Sequence, residues 1–131
     1  MRVTLASILV RDQAQALAFY TEVLGFEPHT DVPAGEYRWI TVVSPEDPEG
    51  VQLVLEPLGF APAATYQQAL YQAGIPCTSL GVSDVRAEYA RLMALGVRFA
   101  AEPQETPFGW TAQLDDTCGN WIMLHELGKA F

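Results

Sequence analysis

The order of apolar and polar residues at the start of the chain predicts a strand, a helix and a second strand. Val3–Val10 is an apolar run rich in β-branched residues, which is typical of a buried strand. Asp12 can cap a helix over about Gln13–Leu24, because its carboxylate accepts from the free N–H groups of the first turn. Gly25 can end that helix in a left-handed conformation without a Cβ clash. A short strand, Phe26–Asp31, is expected next.

The same pattern returns in the second half of the chain, over Gly81–Arg98. The strand residue Val10 and the cap residue Asp12 recur 72 residues later, as Val82 and Asp84. The Leu-Gly pair at 24–25 recurs 71 residues later, at 95–96. Two unrelated capped amphipathic helices could also look alike. Because strand, cap, helix, stop and strand recur in order, the pattern favours two copies of one supersecondary unit.

The rest of the chain predicts further strands, separated by loops rich in proline and glycine. A turn is expected at residues 32–35, a short helix at about 65–73, and a turn at 116–119 in which Gly119 takes a positive φ. The remaining strands are predicted at Tyr37–Val43, Val51–Glu56, Cys77–Val82, Val97–Ala101, Trp110–Asp115 and Asn120–Leu127.

The length of 131 residues suits a single domain. We divide it into a first module of about residues 1–57, a connecting segment of about 58–75 and a second module of about 76–131. The connecting segment is either a plain linker or, given its aromatic residues, a packed lid or dimer element.

Composition narrows the classes of function. Half of the residues are hydrophobic, which is enough for a packed core. The formal charge of −9 argues against nucleic acid, because phosphates need a basic surface. Apolar runs stay short of the roughly 18–20 residues of a membrane span, and the two cysteines, Cys77 and Cys118, form no disulfide framework. We expect a cytoplasmic protein without a nucleic-acid or membrane partner.

Short motifs in both halves resemble the vicinal-oxygen-chelate superfamily, which includes glyoxalase I, extradiol dioxygenases, fosfomycin-modifying enzymes and bleomycin-resistance proteins. The resemblance covers essentially the whole chain and is specific for fold rather than for reaction. The motifs are Val10-Arg11-Asp12, Phe19-Tyr20, Leu24-Gly25-Phe26, Val82-Ser83-Asp84, Leu95-Gly96-Val97, Pro107-Phe108-Gly109 and Asp116-Thr117-Cys118-Gly119-Asn120.

The resemblance implies an α+β fold in which two βαβββ modules form an open, cup-shaped mixed sheet, usually in a homodimer. Relatives that use metal place four ligands on the floor of the cup. Carried onto this sequence, those positions are Leu5, Glu56, Cys77 and Met123. Relatives tend to have His, Glu or Gln there, so this chain departs from the pattern at three of the four.

Only Glu56 is an ordinary ligand for a hard metal ion. Leu5 cannot coordinate, and the thioether of Met123 suits Zn²⁺, Fe²⁺, Mn²⁺ or Ni²⁺ poorly. Cys77 could bind zinc, but zinc usually takes three or four protein ligands. We therefore expect no metal cofactor. One divalent transition metal on Glu56, Cys77 and His125, in a shifted register of the last strand, stays open as an alternative.

Without metal, the same positions favour a binding pocket. Glu56 in an apolar cup could serve as a general base or bind a cation, with His125 as a second catalytic candidate; a solvated or paired carboxylate is the simpler reading. Aromatic side chains from several strands suit a flat or cationic ligand, although sheet core explains any single one equally well. The candidates for ligand binding are Leu5, Trp39, Glu56, Cys77, Trp110, Trp121 and Met123.

Three hypotheses follow for the function. The first is a protein of the bleomycin-resistance type, which binds a small cationic or aromatic molecule in the cup and has a degenerate metal site. The second is a metal-dependent enzyme of the glyoxalase type (a lyase or isomerase) or of the extradiol dioxygenase type. The third is an interaction protein whose own side chains fill the cup.

Overall fold

The computed structural model describes residues 1–127. These residues form two compact units, and the predicted end of the second module at residue 131 lies outside them. Unit 1 holds Met1–Gln68 together with Thr117–Gly119, and unit 2 holds Ala69–Asp116 and the residues from Asn120 on. A helix, α2 (Ala61–Gln72), runs across the division along the chain.

Ahead of its part of α2, unit 1 is a four-stranded mixed sheet with one helix, in the order strand, helix and three strands. The helix α1 (Gln13–Ala18) continues as a π-helix over Phe19–Val23. The strands lie side by side as β1-β4-β3-β2, with β1 parallel to β4 and the other pairs antiparallel. Their bounds are Leu5–Val10 for β1, Glu27–Ala34 for β2, Tyr37–Val43 for β3 and Gln52–Pro57 for β4.

Unit 2 repeats this arrangement, with α3 (Val85–Ala94) after its first strand. The strand order is β5-β8-β7-β6, again with the first and last strands along the chain parallel. The bounds are Thr78–Val82 for β5, Gln104–Thr106 for β6, Gly109–Asp115 for β7 and Trp121–Glu126 for β8. The predicted α+β class, with two βαβββ modules and mixed sheets, is confirmed.

The repeated caps have the geometry that the sequence predicts. Asp12 accepts a hydrogen bond from the backbone N–H of Gln15, and Asp84 accepts one from Ala87, each over 3.0 Å. Gly25 ends the first helix with φ of +89°, as expected for a left-handed stop. Both helices are therefore fixed at their N-termini in the same way.

The helix in each unit covers one face of its sheet, and that interface is the core. Strand residues alternate between the two faces, so every second side chain points toward the helix. In unit 1 the most buried apolar side chains include Val10, Tyr20, Ile40, Val42 and Leu55. In unit 2 they include Val85, Leu92, Leu114, Ile122 and Leu124.

Proline positions explain two differences from the predicted elements. The turn predicted at residues 32–35 is mostly strand, because β2 continues to Ala34. β2 is an edge strand, where Pro28 and Pro33 can sit without removing a bond from a second neighbour. The connecting helix begins at Ala61 rather than at residue 65. Pro62 is tolerated there because the first turn of a helix leaves its N–H groups unpaired.

The strand predicted at Val97–Ala101 is wrong in its bounds. Phe99 forms a single bridge with Leu114, and the regular strand β6 lies further on, in a segment that we predicted as loop. Ala100 still donates to the carbonyl of Gln113, so the segment keeps contact with β7 before it departs from the ladder. The irregular stretch Ala100–Glu102 forms part of a cavity wall.

Candidate functional site

A cavity of about 460 Å³ lies on unit 2. Its walls come from the C-terminal end of α2, the irregular stretch before β6, and the face of β7 and β8 away from α3. The lining includes Tyr71, Glu102, Thr111, Gln113, Trp121 and Met123. A space of this size falls within the range of small-molecule pockets in proteins.

The alternation of side chains along β8 places Trp121 and Met123 at this cavity. Ile122 and Leu124 are buried on the side of α3, so the residues between them point the other way. The antiparallel register sets Gln113 of β7 opposite Met123. Two predicted binding residues thus share one face with an amide side chain.

Trp121 is held in place by a cluster of three further side chains. Its ring stacks on Tyr71, with centroids 5.2 Å apart and planes 8° from parallel, and its Nε1 donates to the carbonyl of Tyr71 over 3.1 Å. The guanidinium carbon of Arg98 lies 5.3 Å from the centroid of the Trp121 ring. Asp115 Oδ2 accepts from the Tyr71 hydroxyl over 2.6 Å and from Arg98 Nη2 over 3.0 Å.

This cluster was missed by sequence reasoning. Tyr71 lies in the connecting segment, and its contact with Asp115 spans 44 residues. Arg98 and Asp115 are 17 residues apart and face each other only because the chain pairs with β7 before it departs at Ala100. The pattern of neighbouring residues does not predict contacts over such separations. The aromatic residues of the connecting segment indicated only that this segment could pack against another part of the protein.

His125, a predicted catalytic candidate, is 6% exposed. It shares the face of Trp121 and Met123, but its Nε2 lies 3.0 Å from the carbonyl oxygen of Phe108. A carbonyl only accepts, so Nε2 carries the proton and donates it to this bond. That nitrogen therefore holds the loop before β7 and has no lone pair for a metal or for an incoming proton.

Cys77 lies just before β5, where its backbone N–H donates to the carbonyl of Trp121 over 3.0 Å. Partial burial of the thiol, followed by the negative charge of Asp116, raises the pKa of Cys77 to about 11, although the residue as a whole is exposed. The parallel register pairs Gly81 with His125, four residues further on. At about 3.3 Å per residue, the four residues from Cys77 to Gly81 span roughly 13 Å between Cα atoms, so Cys77 lies about that far along the sheet from His125. This is too far for the two side chains to share one ion.

Trp110 points to the opposite side of the same sheet. Its ring lies under the guanidinium of Arg86, a residue of α3, with 4.3 Å from the guanidinium carbon to the ring centroid. Of the predicted binding residues in unit 2, the structure therefore brings Trp121 and Met123 together and separates Trp110 from them.

The three predicted residues of unit 1 share one face of its sheet. Leu5 and Trp39 are 45% and 37% exposed, and Glu56 is half-buried. Thr41 pairs with Val54 at the end of the antiparallel ladder, and the alternation along β3 and β4 puts Trp39 and Glu56 on the same face as this pair, beyond the last paired residues. Glu56 Oε1 accepts a long hydrogen bond of 3.5 Å from the hydroxyl of Ser7.

The residues at the four family metal positions fit a divalent ion poorly. Leu5 has no donor atom, Met123 offers a thioether, and burial followed by the charge of Asp116 raises the pKa of the Cys77 thiol, which makes the thiolate harder to form. Within residues 1–127, no three or more His, Cys, Asp or Glu side chains are grouped so that they could hold a metal ion. Glu56 alone retains a typical ligand atom.

Comparison with known proteins agrees with the fold. A protein of Bacillus subtilis (strain 168), the uncharacterised YurT, is 47% identical over 124 residues, which is 95% of this chain and 98% of that protein. The crystal structure of UcmS2 is 39% identical with a TM-score of 0.82, covering 95% of this chain and 97% of the other. TnmS3, an antibiotic-binding protein from Streptomyces sp. CB03234, is 32% identical with a TM-score of 0.75, covering 96% and 95%.

A family model matches residues 2–124, nearly the whole chain. Among the described residues, no helix has the length and apolar character needed to cross a membrane. With the two βαβββ modules and the similarity to solved structures, this match assigns the chain: it belongs to the Glyoxalase/Bleomycin resistance protein/Dioxygenase superfamily.

Proposed function

We propose that this protein binds a small aromatic or cationic organic molecule and does so without a metal ion. The observation that carries the proposal is the cavity of about 460 Å³ with Trp121 and Met123 in its wall. Tyr71 covers one face of the Trp121 ring, and the part of the indole that lines the cavity provides an apolar contact beside the thioether of Met123, which adapts to the shape of its partner. The similarity to TnmS3, which is an antibiotic-binding protein, supports the same class of function.

The cationic part of the proposal rests on charge and on the sheet of unit 1. The chain carries a formal charge of −9, which raises the local concentration of cations around it. On unit 1, Trp39 and Glu56 lie on the same face of the sheet and both keep access to solvent. An aromatic ring and a carboxylate on one surface suit an ammonium group.

We propose binding rather than catalysis because two of the three side chains that an enzyme of this family would use here, His125 and Cys77, are poorly suited to chemistry. His125 donates to a backbone carbonyl, and Cys77 is a thiol of raised pKa. The alternative of a glyoxalase- or dioxygenase-type enzyme needs a divalent metal on Glu56, Cys77 and His125. The distance of roughly 13 Å between the last two argues against that ligand set.

We further propose that the protein is a cytoplasmic homodimer. The strand β1 is at the edge of its sheet, and apolar side chains near its start are exposed: Val3 (68%), Leu5 (45%) and Val51 (48%). An uncovered apolar edge is a common place for a second copy to associate. Size-exclusion chromatography with light scattering should give a mass twice that of the 14.4 kDa chain. A single-chain mass at micromolar concentration would contradict the dimer.

The binding proposal is tested by calorimetric titration with two probes, bleomycin and doxorubicin, a planar aromatic molecule that carries an ammonium group. At least one should bind the wild-type protein with a dissociation constant in the micromolar range or below. Trp121→Leu should weaken binding about tenfold or more, since a buried aromatic contact contributes roughly 1–3 kcal/mol.

The matched control is Trp110→Leu, the same change on the other side of the same sheet, which should leave the affinity within about twofold. Equal losses in both variants would indicate a general effect on folding and would contradict the assignment of the cavity. Absence of binding by any probe of this class would contradict the proposed function.

A further inference from the structure

The charged group in the cavity of unit 2 indicates the chemistry of its ligand. We infer that this cavity takes a molecule with an aromatic ring at Trp121 and Met123 and an ammonium group at Glu102, which makes Glu102 the residue that determines specificity. The inference rests on the proposed binding function and adds to it the position and the partner of the cationic group in unit 2.

The sheet of unit 2 gives the cavity an aromatic end and a polar end. Trp121 and Met123 lie on β8, and Gln104 lies on β6. Because β7 lies between these strands, the two ends are two strand spacings apart, roughly 10 Å. A ligand that reaches both ends therefore has its ring and its polar group on different parts of the molecule.

An irregularity in the pairing of β7 places Glu102 at the polar end. Phe99 bridges to Leu114, and Gln104 pairs with Thr111, so between these pairs four residues of one segment face only two of the other. The two extra residues take the chain out of the ladder, as in a β-bulge, and such irregularities can redirect a side chain. Here the displaced stretch carries Glu102 into the cavity wall.

Glu102 is the charge that a ligand meets in this cavity. Among the described residues of the lining, it is the only one with a charged side chain. The side chain is exposed, and within residues 1–127 its carboxylate has no hydrogen bond or ion pair. Both oxygens therefore stay available as acceptors for an ammonium group, which brings three donors.

Arg98 is the charge that acts against an ammonium group. It is absent from the lining of this cavity, and its Nη2 donates to Asp115 Oδ2 over 3.0 Å, so the pair carries no net charge. The Arg98 side chain is 65% exposed, so solvent and salt screen what remains of its field. Because Glu102 is exposed as well, we expect a preference of a few fold rather than a large one.

The test uses two probes with the same ring, 4-(2-naphthyl)butylammonium and the neutral alcohol 4-(2-naphthyl)butan-1-ol. Their four-carbon chain allows the ring and the polar group to reach both ends of the cavity. Affinity is read from the indole N–H resonance of Trp121 at low ionic strength, assigned by its loss in Trp121→Phe, so that the value reports binding at this cavity. We expect the ammonium compound to bind the wild-type protein about three- to fivefold more tightly than the alcohol.

Two variants locate the source of the preference. Glu102→Gln keeps the size of the side chain and removes its charge, so it should reduce the ratio of the two affinities to about 1.5-fold or less. The matched control is Glu105→Gln, on β6, where Glu105 pairs with Trp110 on the side of the sheet away from the cavity. It changes the net charge by the same amount and should leave the ratio as in the wild-type protein.

The outcomes separate this inference from the proposed function. Equal affinities of the two probes, or equal losses of the ratio in Glu102→Gln and Glu105→Gln, would overturn the role of Glu102 and leave the binding function standing. The same holds if neither probe shifts the Trp121 resonance while bleomycin or doxorubicin binds with a loss in Trp121→Leu. If no probe of either set binds, the proposed function itself fails and the inference fails with it.

Discussion

Sulfur atoms stand at two of the positions where metal-using relatives have their ligands, and their chemistry differs. Met123 lines the cavity as a polarisable apolar side chain. Cys77 is a thiol whose pKa is raised to about 11, first by partial burial and then by Asp116. At neutral pH neither side chain offers an anionic ligand atom.

The raised pKa of Cys77 predicts slow alkylation. The thiolate is the nucleophile, and at pH 8 a pKa of about 11 instead of 9.0 lowers its fraction about 100-fold. The rate of labelling by iodoacetamide, followed by mass spectrometry, should be lower than that of an unfolded Cys77 peptide by about this factor and should rise with pH beyond 9. A rate that levels off near pH 8 would contradict the assigned pKa.

Gly119 is placed so that a side chain would be harmful for two reasons. Its φ is +100°, and a Cβ would approach the amide of Gln67 to 2.7 Å. That amide is buried and donates to the carbonyls of Leu9 and Cys118 over 2.8 and 3.1 Å. Gly119, in the turn at residues 116–119, thus leaves room for the buried amide of Gln67 on α2.

Gly119→Ala should therefore lower the free energy of unfolding by about 2–4 kcal/mol, from backbone strain and from the displaced amide. Gly25→Ala is the matched control, since its φ is +89° with nothing within 4 Å of the added Cβ. It should cost about 1 kcal/mol, from strain alone. Urea denaturation measures both; equal losses would contradict the steric role of Gln67.

At the scale of elements, the side chain of Gln13 links α1 to the sheet of unit 1 through hydrogen bonds. Gln13 Nε2 donates to the carbonyls of Arg38 and Leu55 over 2.6 and 2.9 Å, and its Oε1 accepts from the N–H of Arg38 over 3.0 Å. These backbone groups belong to β3 and β4 beyond the last pair of their ladder. The glutamine thus supplies hydrogen bonds that strand pairing does not.

Gln13→Met should cost about 2–3 kcal/mol in the free energy of unfolding, because it leaves partly buried backbone groups without a partner. Gln15→Met, on the same helix, removes exposed bonds to Thr117 and should cost less than about 1 kcal/mol. Denaturation in urea distinguishes the two variants, and a Gln13→Met protein as stable as the wild type would contradict the role of this side chain.

The repeated elements could be predicted from the sequence because their causes are local. A cap residue, a glycine stop and an apolar alternation each depend on neighbours within a few positions, and Asp12, Asp84 and Gly25 behave as predicted. The bounds of β2 and β6 could not be predicted, since they depend on the edge position of β2 and on the single bridge at Phe99. Sheet position is set by distant parts of the chain.

The candidate site could be predicted only where its causes are local. Trp121 and Met123 follow from their place on the last strand. The direction of Trp110 depends on the face of β7 and on Arg86 of α3, and the residues that hold Trp121 come from three separate segments. Such partners are selected by tertiary packing, which a single sequence does not express.

At the scale of the whole molecule, the chain keeps the family fold, while the residues at the four metal positions fit a divalent ion poorly. The chain has 16 acidic and 7 basic residues with a formal charge of −9, so the long-range field attracts cations. Among the described residues, the cavity lining holds one charged residue, Glu102, which has the same sign as the chain as a whole.

We propose above all that an organic molecule binds with no metal ion involved. The most direct measurement is calorimetric titration of doxorubicin into protein that was purified without an affinity tag and then treated with EDTA, with elemental analysis of the same sample. We expect far less than one metal ion per chain and a dissociation constant equal, within about twofold, to that of untreated protein. Loss of binding after EDTA, restored by Zn²⁺ or Ni²⁺, would contradict it.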